Sequence, residues 1–396
     1  MMPTMTLFIL LLITTGVSLA SLYLSTMPYV YISIALCVVS LYAWRKFQRT
    51  TLKTLCINIA GAFLVFALFE LYLGLTDTFR LAQTKRITNP TFLVSDRDLG
   101  YVHKKNVTVS DALYYGDKQE WQADYIIGSN GLRTSSRFDN RDESGECVVF
   151  FGGSYTFGHG VRDDQTLPYQ VGLKTVGKYQ VYNFGVNGYG PHQMLAAMEL
   201  KQDEKLLGCT PKYALYLAIT SHIDRAAGKV SWDPHGPRYV LENETKLRRA
   251  GHFDDISKIF IDYLRLDAVV ENLMNQVYKS FIAKRFLFFL YGNRVFTSYN
   301  IRLYLAIVHG AKTVFEQRYP GSEFHVIYLD PLKDIIIDGF KDKKIPVHLA
   351  SDIFQEDLRG SGQKPSPLSL SEHDGHPSSL AHALMAEYVV NNILRE

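Results

Sequence analysis

The chain has 396 residues, of which 47% are hydrophobic and 20% charged, with a formal net charge of +3. This composition excludes a disordered chain and fits two or three folded domains with some membrane sequence. The small charge, without a long basic patch, argues against nucleic acid as a partner, and the four cysteines form no CxxC or His-paired spacing that would bind a metal.

Residues 1–44 carry no charged side chain. An apolar run at 7–24 breaks at Ser25-Thr26-Met27-Pro28, a second covers 29–44 and a third 55–75. Each is near the ~20 residues that cross a hydrocarbon core, so the pattern predicts three transmembrane helices over residues 1–75. Arg45, Lys46, Arg49 and Lys53 fall between the second and third runs, which the positive-inside rule places in the cytoplasm. The amino terminus is then inside and the carboxyl domain outside. A cleaved signal peptide would carry basic residues ahead of its apolar core, and the first run has none. Glu70 within the third run is costly unless paired or protonated; it either meets a partner subunit or marks an earlier end of the span, near Phe69.

From 76 to about 145 the chain turns polar. Asp96-Arg97-Asp98-Leu99-Gly100-Tyr101 and the stretch 125–133 read as short strands, and Ser129-Asn130-Gly131 is a tight turn, because Asn and Gly accept positive φ. A small β-rich subdomain, or a structured linker, is expected here.

Val148-Val149-Phe150-Phe151 then runs into Gly152-Gly153-Ser154, a buried strand that presents a serine at its carboxyl end. Open α/β sheets place their ligands there. Alone, the stretch reads equally as a turn with Ser154 capping a helix. A helix to about 172 should follow, then a strand from 179 that ends at Asn183-Phe184-Gly185-Val186-Asn187-Gly188, and a helix from Pro191. A third strand at 213–219 ends in Thr220-Ser221-His222-Ile223-Asp224-Arg225. Residues 324–329 and 345–349 give a fourth and a fifth strand, and 382–394 a closing helix. The alternation predicts an α/β fold with a doubly wound, parallel five-stranded sheet. Between 226 and 322 there is more chain than one crossover needs. Residues 231–237 look like a loop and 256–289 is apolar at helical spacing, which suits a lid, a packing helix pair or, at 279–290, a membrane-facing amphipathic stretch.

Near the carboxyl end, Glu372-His373-Asp374-Gly375-His376-Pro377 puts an Asp two residues before a His, just ahead of a helix. That spacing supplies a base and a carboxylate to orient it. By itself it could be a surface turn, but paired with a glycine-flanked serine it reads as the second half of a catalytic site.

Over roughly residues 146–396 the chain resembles the SGNH (GDSL-like) hydrolases, through Gly152-Gly153-Ser154-Tyr155-Thr156-Phe157-Gly158, Asn183-Phe184-Gly185-Val186-Asn187-Gly188 and Asp374-Gly375-His376-Pro377. The resemblance implies Ser154 as nucleophile, His376 as general base and Asp374 as the residue that fixes the imidazole tautomer. It also implies the Ser154 and Gly188 N–H groups as oxyanion donors. The family's third block, Gly-x-Asn-Asp, is absent. Ser221 or His222 stands in the register of its Asn and Asp, Asn187 could complete the hole, or the protein is a degenerate binder. His222 also reads as a structural histidine, and His159, His192 and His382 as caps or surface residues.

Thr156 stands where a Gly-x-Ser-x-Gly elbow needs its second glycine, which disfavours an α/β-hydrolase. No Gly-Lys-Ser/Thr follows the glycines either, so nucleotide binding is not expected, nor any cofactor. In a 2-1-3-4-5 sheet the strands that follow Cys147 and Cys209 are neighbours, and an outward-facing domain permits a disulfide between the two.

The chain is most similar to membrane-anchored bacterial members associated with surface or exported polysaccharides, where segments like Asp98-Leu99-Gly100-Tyr101 and Asn130-Gly131-Leu132-Arg133 precede the core. This implies a multi-pass inner-membrane protein whose hydrolase domain faces the periplasm or outside. Its partners would be the bilayer, an acylated carbohydrate and other subunits of a membrane complex. The expected activity is removal of acyl groups, acetyl above all, from a surface glycan. The rivals are an O-acyltransferase with the same triad and a catalytically weak carbohydrate-binding or assembly subunit.

Overall fold

The computed structural model describes residues 28–135, 145–242, 246–255, 280–283, 285–286, 296–331, 333–354 and 366–394, which divide between two compact units. The first unit contains helices α1 (Pro28–Lys46) and α2 (Thr50–Ala82), packed along each other. Both expose apolar side chains, among them Val38, Val39, Val65 and Leu68. One described helix is long and apolar enough to cross a membrane, Thr50–Asp77 of α2. Of the three spans expected, the described residues show that one: the 7–24 run lies outside the described residues, and the 29–44 run forms α1, whose 19 residues end in Arg45 and Lys46.

Glu70 does not mark an earlier end of the helix. The helix continues past it to Ala82, and its carboxylate accepts the N–H groups of Phe281 at 2.7 Å and Ile282 at 2.8 Å. These are first-turn donors of a helical segment that Ser280 also caps, its Oγ accepting from the Ala283 N–H at 3.0 Å. A carboxylate at a helix amino terminus also meets the positive end of the helix dipole.

The second unit begins with β1 (Thr84–Asn89), β2 (Leu93–Asp96), β3 (Gly100–His103), β4 (Val107–Tyr115) and β5 (Lys118–Ile127). These form an antiparallel β1-β4-β5 sheet and a β2-β3 hairpin. Strand β5 alternates strictly, burying Trp121, Ala123, Tyr125 and Ile127 on one face. The expected tight turn is present, with the Gly131 N–H donating to Gly128 O at 3.1 Å.

In chain order there follow β6 (Glu146–Gly152), α3 (Ser154–Phe157), α4 (Leu167–Lys174), β7 (Gln180–Gly185), α5 (Pro191–Glu199), β8 (Thr210–Ala218) and α6 (Ser221–Ala226). Next are β9 (Pro237–Glu242), β10 (Lys246–His252), α7 (Ser298–Arg318), β11 (Glu323–Tyr328), α8 (Asp334–Asp342), β12 (Val347–Leu349), α9 (Ala350–Ile353) and α10 (Ser379–Asn392). The five-stranded sheet has the order β12-β11-β8-β6-β7 with every pair parallel. This is the 2-1-3-4-5 doubly wound arrangement. Period-two alternation along β6 sends Val149 and Phe151 to the layer of α5, α6 and α7, and Val148 and Phe150 to the layer of α4 and α10. Each fully buried side chain there contributes about 1.5–3 kcal/mol. Cys147 and Cys209 are joined in a disulfide.

Two departures shape the site. The single helix expected after Ser154 is two, because Gly158 ends α3 in the left-handed conformation at φ 84°. The intervening loop carries His159. In the insertion, β9 and β10 pair antiparallel, α7 occupies 298–318, and most of the 256–289 pattern lies outside the described residues.

Candidate active site

Ser154 opens α3 at the carboxyl end of β6, and the loop before α10 brings Asp374 and His376 against it. His376 Nε2 lies 2.9 Å from Ser154 Oγ, and His376 Nδ1 lies 2.5 Å from Asp374 Oδ1. Asp374 Oδ1 also accepts the backbone N–H of His376 at 3.0 Å. With Nδ1 donating to the carboxylate, Nε2 is free to accept the serine proton. Burial works against ionised Asp374, yet the hydrogen bonds and charge of His376 outweigh it and hold the carboxyl down at about 2. It is a carboxylate at any physiological pH.

The other Asp374 oxygen is held from the antiparallel sheet, where Trp121 Nε1 on β5 donates to Oδ2 at 2.9 Å. His159 stands edge-on to Trp121 with ring centres 4.9 Å apart, and its Nε2 is 4.0 Å from Asp374 Oδ2. Burial, then the charges of His376 and Arg86, pushes His159 down to about 3, so it is neutral beside the site. Behind it, Arg86 on β1 makes a two-pronged pair with Asp111 on β4 at 2.9 and 2.7 Å, and Thr88 and Tyr125 donate to the same carboxylate. Arg133 fixes the loop that carries His159. Its guanidinium is fully buried, pairs with Asp163 at 2.7 Å and donates to the carbonyls of Phe157, Gly158 and Val161.

A cleft of about 740 Å³ opens over Ser154, lined by Arg86, Tyr101, His159, Gly188, Trp232 and His376 among others. Gly188 sits at φ 86°, and a Cβ there would approach the Tyr101 hydroxyl to 2.5 Å and Trp232 Nε1 to 2.9 Å. Glycine is required on both counts. Tyr101 donates to Asn187 O at 2.9 Å and Trp232 Nε1 to Gly188 O at 3.3 Å, so the loop after β7 is pinned from two sides.

The third-block residues do not line this cleft. Ser221 Oγ is buried without a hydrogen-bond partner, and His222 is 1% exposed, its Nδ1 2.6 Å from the Tyr216 hydroxyl and its Nε2 unpartnered. Asn187 does line it, with Oδ1 unpartnered and Nδ2 3.5 Å from His159 Nδ1. Of the caps or surface residues expected at His159, His192 and His382, none is at the surface, since all three are buried. His192 Nε2 faces Asp233 at 3.0 Å, while His382 Nδ1 accepts the Leu167 N–H at 3.1 Å and so does cap α4.

His159, Asp374 and His376 are the cluster of metal-binding side chains among the described residues, their ligand atoms all within 4.8 Å of one another. Both Asp374 oxygens are already engaged, so the geometry suits a hydrogen-bonded chain better than an ion.

No family model matches the chain. No curated protein matches it. Among solved structures, one assigned to the lipolytic G-D-S-L family, from Desulfitobacterium hafniense DCB-2, is similar at 12% identity and TM-score 0.30 over 62% of this chain and 98% of its own. A second crystal structure is similar at 12% identity and TM-score 0.32, over 63% of this chain and 96% of that one. Likeness at this level leaves the sheet order and the Ser154–His376–Asp374 geometry to stand by themselves.

Sequence reasoning did not find Trp121, Arg86, Asp111 or His159, because nothing near them in the chain signals chemistry. The segments Asp98-Leu99-Gly100-Tyr101 and Asn130-Gly131-Leu132-Arg133 were visible as motifs. Their roles, Tyr101 on the Asn187 loop and Arg133 on the His159 loop, needed the fold.

Proposed function

We propose that the protein is a serine ester hydrolase of the SGNH (GDSL-like) type that removes acyl groups, acetyl above all, from a carbohydrate. The observation that carries this reading is the continuous chain Ser154 Oγ–His376 Nε2, 2.9 Å, and His376 Nδ1–Asp374 Oδ1, 2.5 Å. Ser154 Oγ attacks the ester carbonyl carbon, its proton passes to His376 Nε2, and the carbonyl π pair moves to the oxygen. Collapse of this tetrahedral species expels the sugar oxygen, which takes the proton from His376. Water, deprotonated by the same imidazole, then attacks the acyl-serine, and collapse expels Ser154 Oγ, which takes the proton back from His376 as the acid leaves. The Ser154 and Gly188 N–H groups would receive the oxyanion.

The carbohydrate assignment draws on the cleft, which half-exposed Trp232 and the more buried Tyr101 line with aromatic surface that suits a sugar ring. In the same reading, α2 anchors the chain in a bacterial inner membrane and the second unit faces outward. Protease added to the outer face of spheroplasts should digest that unit, and its protection would reverse the topology. O-acyl transfer is the second reading, favoured by a cleft of about 740 Å³, room for a donor ester and an acceptor sugar together. A faster passage of acetate to sugar hydroxyl than to water would decide for transfer.

The full-length protein should release acetate from an activated acetyl ester, and Ser154→Ala should lower kcat by on the order of 10⁴ or more. Equal release by the two proteins would sink the serine mechanism. Surface polysaccharide from cells carrying wild type should hold less acetyl than that from cells carrying Ser154→Ala, or more if transfer is the reaction. Equal acetyl content would leave a binding subunit as the better reading.

A further inference from the structure

Helix α6 carries His222 and Arg225 three residues apart, on one face. Both reach back under the turn that presents Ser154. Arg225 is 8% exposed, and its Nη1 donates to Tyr189 O at 2.7 Å, while the guanidinium carbon lies 5.7 Å from the centre of the Trp232 ring. Its Nε has no hydrogen-bond partner, and the Asp233 carboxylate acts on it through its charge without a hydrogen-bonded pair among the described residues. His222 Nδ1 faces the Tyr216 hydroxyl at 2.6 Å, and with that hydroxyl donating, the proton sits on the unpartnered Nε2.

Gly153 explains itself against these two donors. Its φ of −95° lies outside the left-handed region. A Cβ there would nevertheless stand 2.7 Å from Arg225 Nη1, 3.0 Å from Tyr189 O and 3.3 Å from His222 Nε2. The glycine lets a cation and a ring N–H approach the backbone one residue before the nucleophile. A buried cation without a paired anion is expensive. It becomes favourable when negative charge develops next to it, as it does on the oxygen of a tetrahedral intermediate at Ser154.

Resting on the serine reading above, we propose that Arg225 is a positioning residue that replaces the absent side-chain donor of the oxyanion hole. Through Tyr189 O it ties the loop holding Gly188 to the turn holding Ser154, so both amides are aimed at one point, and its fixed charge lies behind them. His222 fills the remaining space as a neutral donor. Ser221 has no part in the hole.

The test uses the full-length chain, with an activated acetyl ester as substrate and ethylboronic acid, which forms an anionic tetrahedral adduct on a serine, as the intermediate's analogue. Arg225→Gln should lower kcat and boronate affinity by the same factor, on the order of 10²-fold, with KM within about twofold of wild type. Arg225→Lys, which keeps the charge, should recover part of both. Should Arg225→Gln not fold, Arg225→Lys decides by itself: parallel losses in kcat and boronate affinity support the role, and a change confined to KM overturns it. A folded Arg225→Gln that matches wild type in both readouts, or an Arg225→Lys no better than Gln, overturns it too. A wild type that neither turns over the ester nor is labelled at Ser154 by a fluorophosphonate overturns the serine reading and this role together. A labelled, active wild type beside an unimpaired Arg225→Gln overturns the role of Arg225 alone.

Discussion

The parallel sheet and the antiparallel strands before it contribute different things to one site. Ser154, Asp374 and His376 sit at the end of β6 and on the loop before α10, where the sheet's edge leaves open space. Trp121, Arg86, Asp111 and Arg133 come from the antiparallel strands and the turn after them, and they hold in place what the sheet presents. A loop-borne carboxylate would otherwise be free to rotate about its side-chain torsions. A regular strand such as β5 supplies a donor at a fixed height above it. The parallel sheet thus sets which atoms react, and the antiparallel sheet sets how rigidly they are held.

The largest effect that separates these roles is loss of a reacting group. Asp374→Asn should lower kcat by on the order of 10⁴ with little change in KM, because an amide leaves His376 in the wrong tautomer. Steady-state kinetics on an activated ester would check it, and a loss below tenfold would mean that His376 does not need Asp374 to fix its tautomer. On the antiparallel side, Arg133→Met should cost stability rather than rate. It removes a hydrogen-bonded ion pair and strands Asp163, a change worth about 3–5 kcal/mol. Thermal unfolding would read it; an unchanged midpoint would show that the His159 loop is held by Phe157 and Tyr125 packing alone.

The same division governs what the sequence discloses. A strand that ends in glycines and a serine, and an Asp two residues before a His, are local patterns, so the three residues that the fold brings together, Ser154, Asp374 and His376, and the five parallel strands are legible without a structure. Trp121 is separated from Asp374 by 253 residues, and its only local signature is the alternation of β5, which predicts burial and nothing more. His159 looks like a surface residue because the break after α3 depends on Gly158, which also reads as part of a continuing helix. Glu70 was legible as a problem in an apolar run. Its solution, the amino terminus of the segment at 281–283, lies 211 residues away.

A smaller effect tests the bridge between the regions. Trp121→Phe keeps an aromatic ring at the position and removes the hydrogen bond to Asp374 Oδ2 together with the pyrrole half of the indole. One hydrogen bond to a charged group is worth about 1.5–3 kcal/mol, so kcat should fall by roughly ten- to a hundredfold while KM stays close to wild type. If Trp121→Phe instead lowered stability and spared kcat, the antiparallel sheet would be a cover over the site and not a support for it.

The smallest effect concerns whether the two sheets unfold as one. Burial, then the charge of Arg133, pushes His382 down to about 3, and burial pushes His103 on β3 down to about 4, both from an ordinary 6.5. In each case the unfolded chain takes up a proton that the folded chain refuses. Stability is therefore full above pH 6.5 and falls as pH drops toward those lower values, by about 1.4 kcal/mol per pH unit for each histidine. His382→Gln keeps an acceptor for the Leu167 N–H and removes one proton from this uptake, so the melting temperature should fall less steeply between pH 6 and pH 4. His103→Gln removes a proton on the other side of the boundary. If the sheets unfold together, the two variants flatten the same single transition by the same amount. If the antiparallel strands open first, His103→Gln flattens only an early transition, and the support that Trp121 gives Asp374 is lost before the parallel sheet melts.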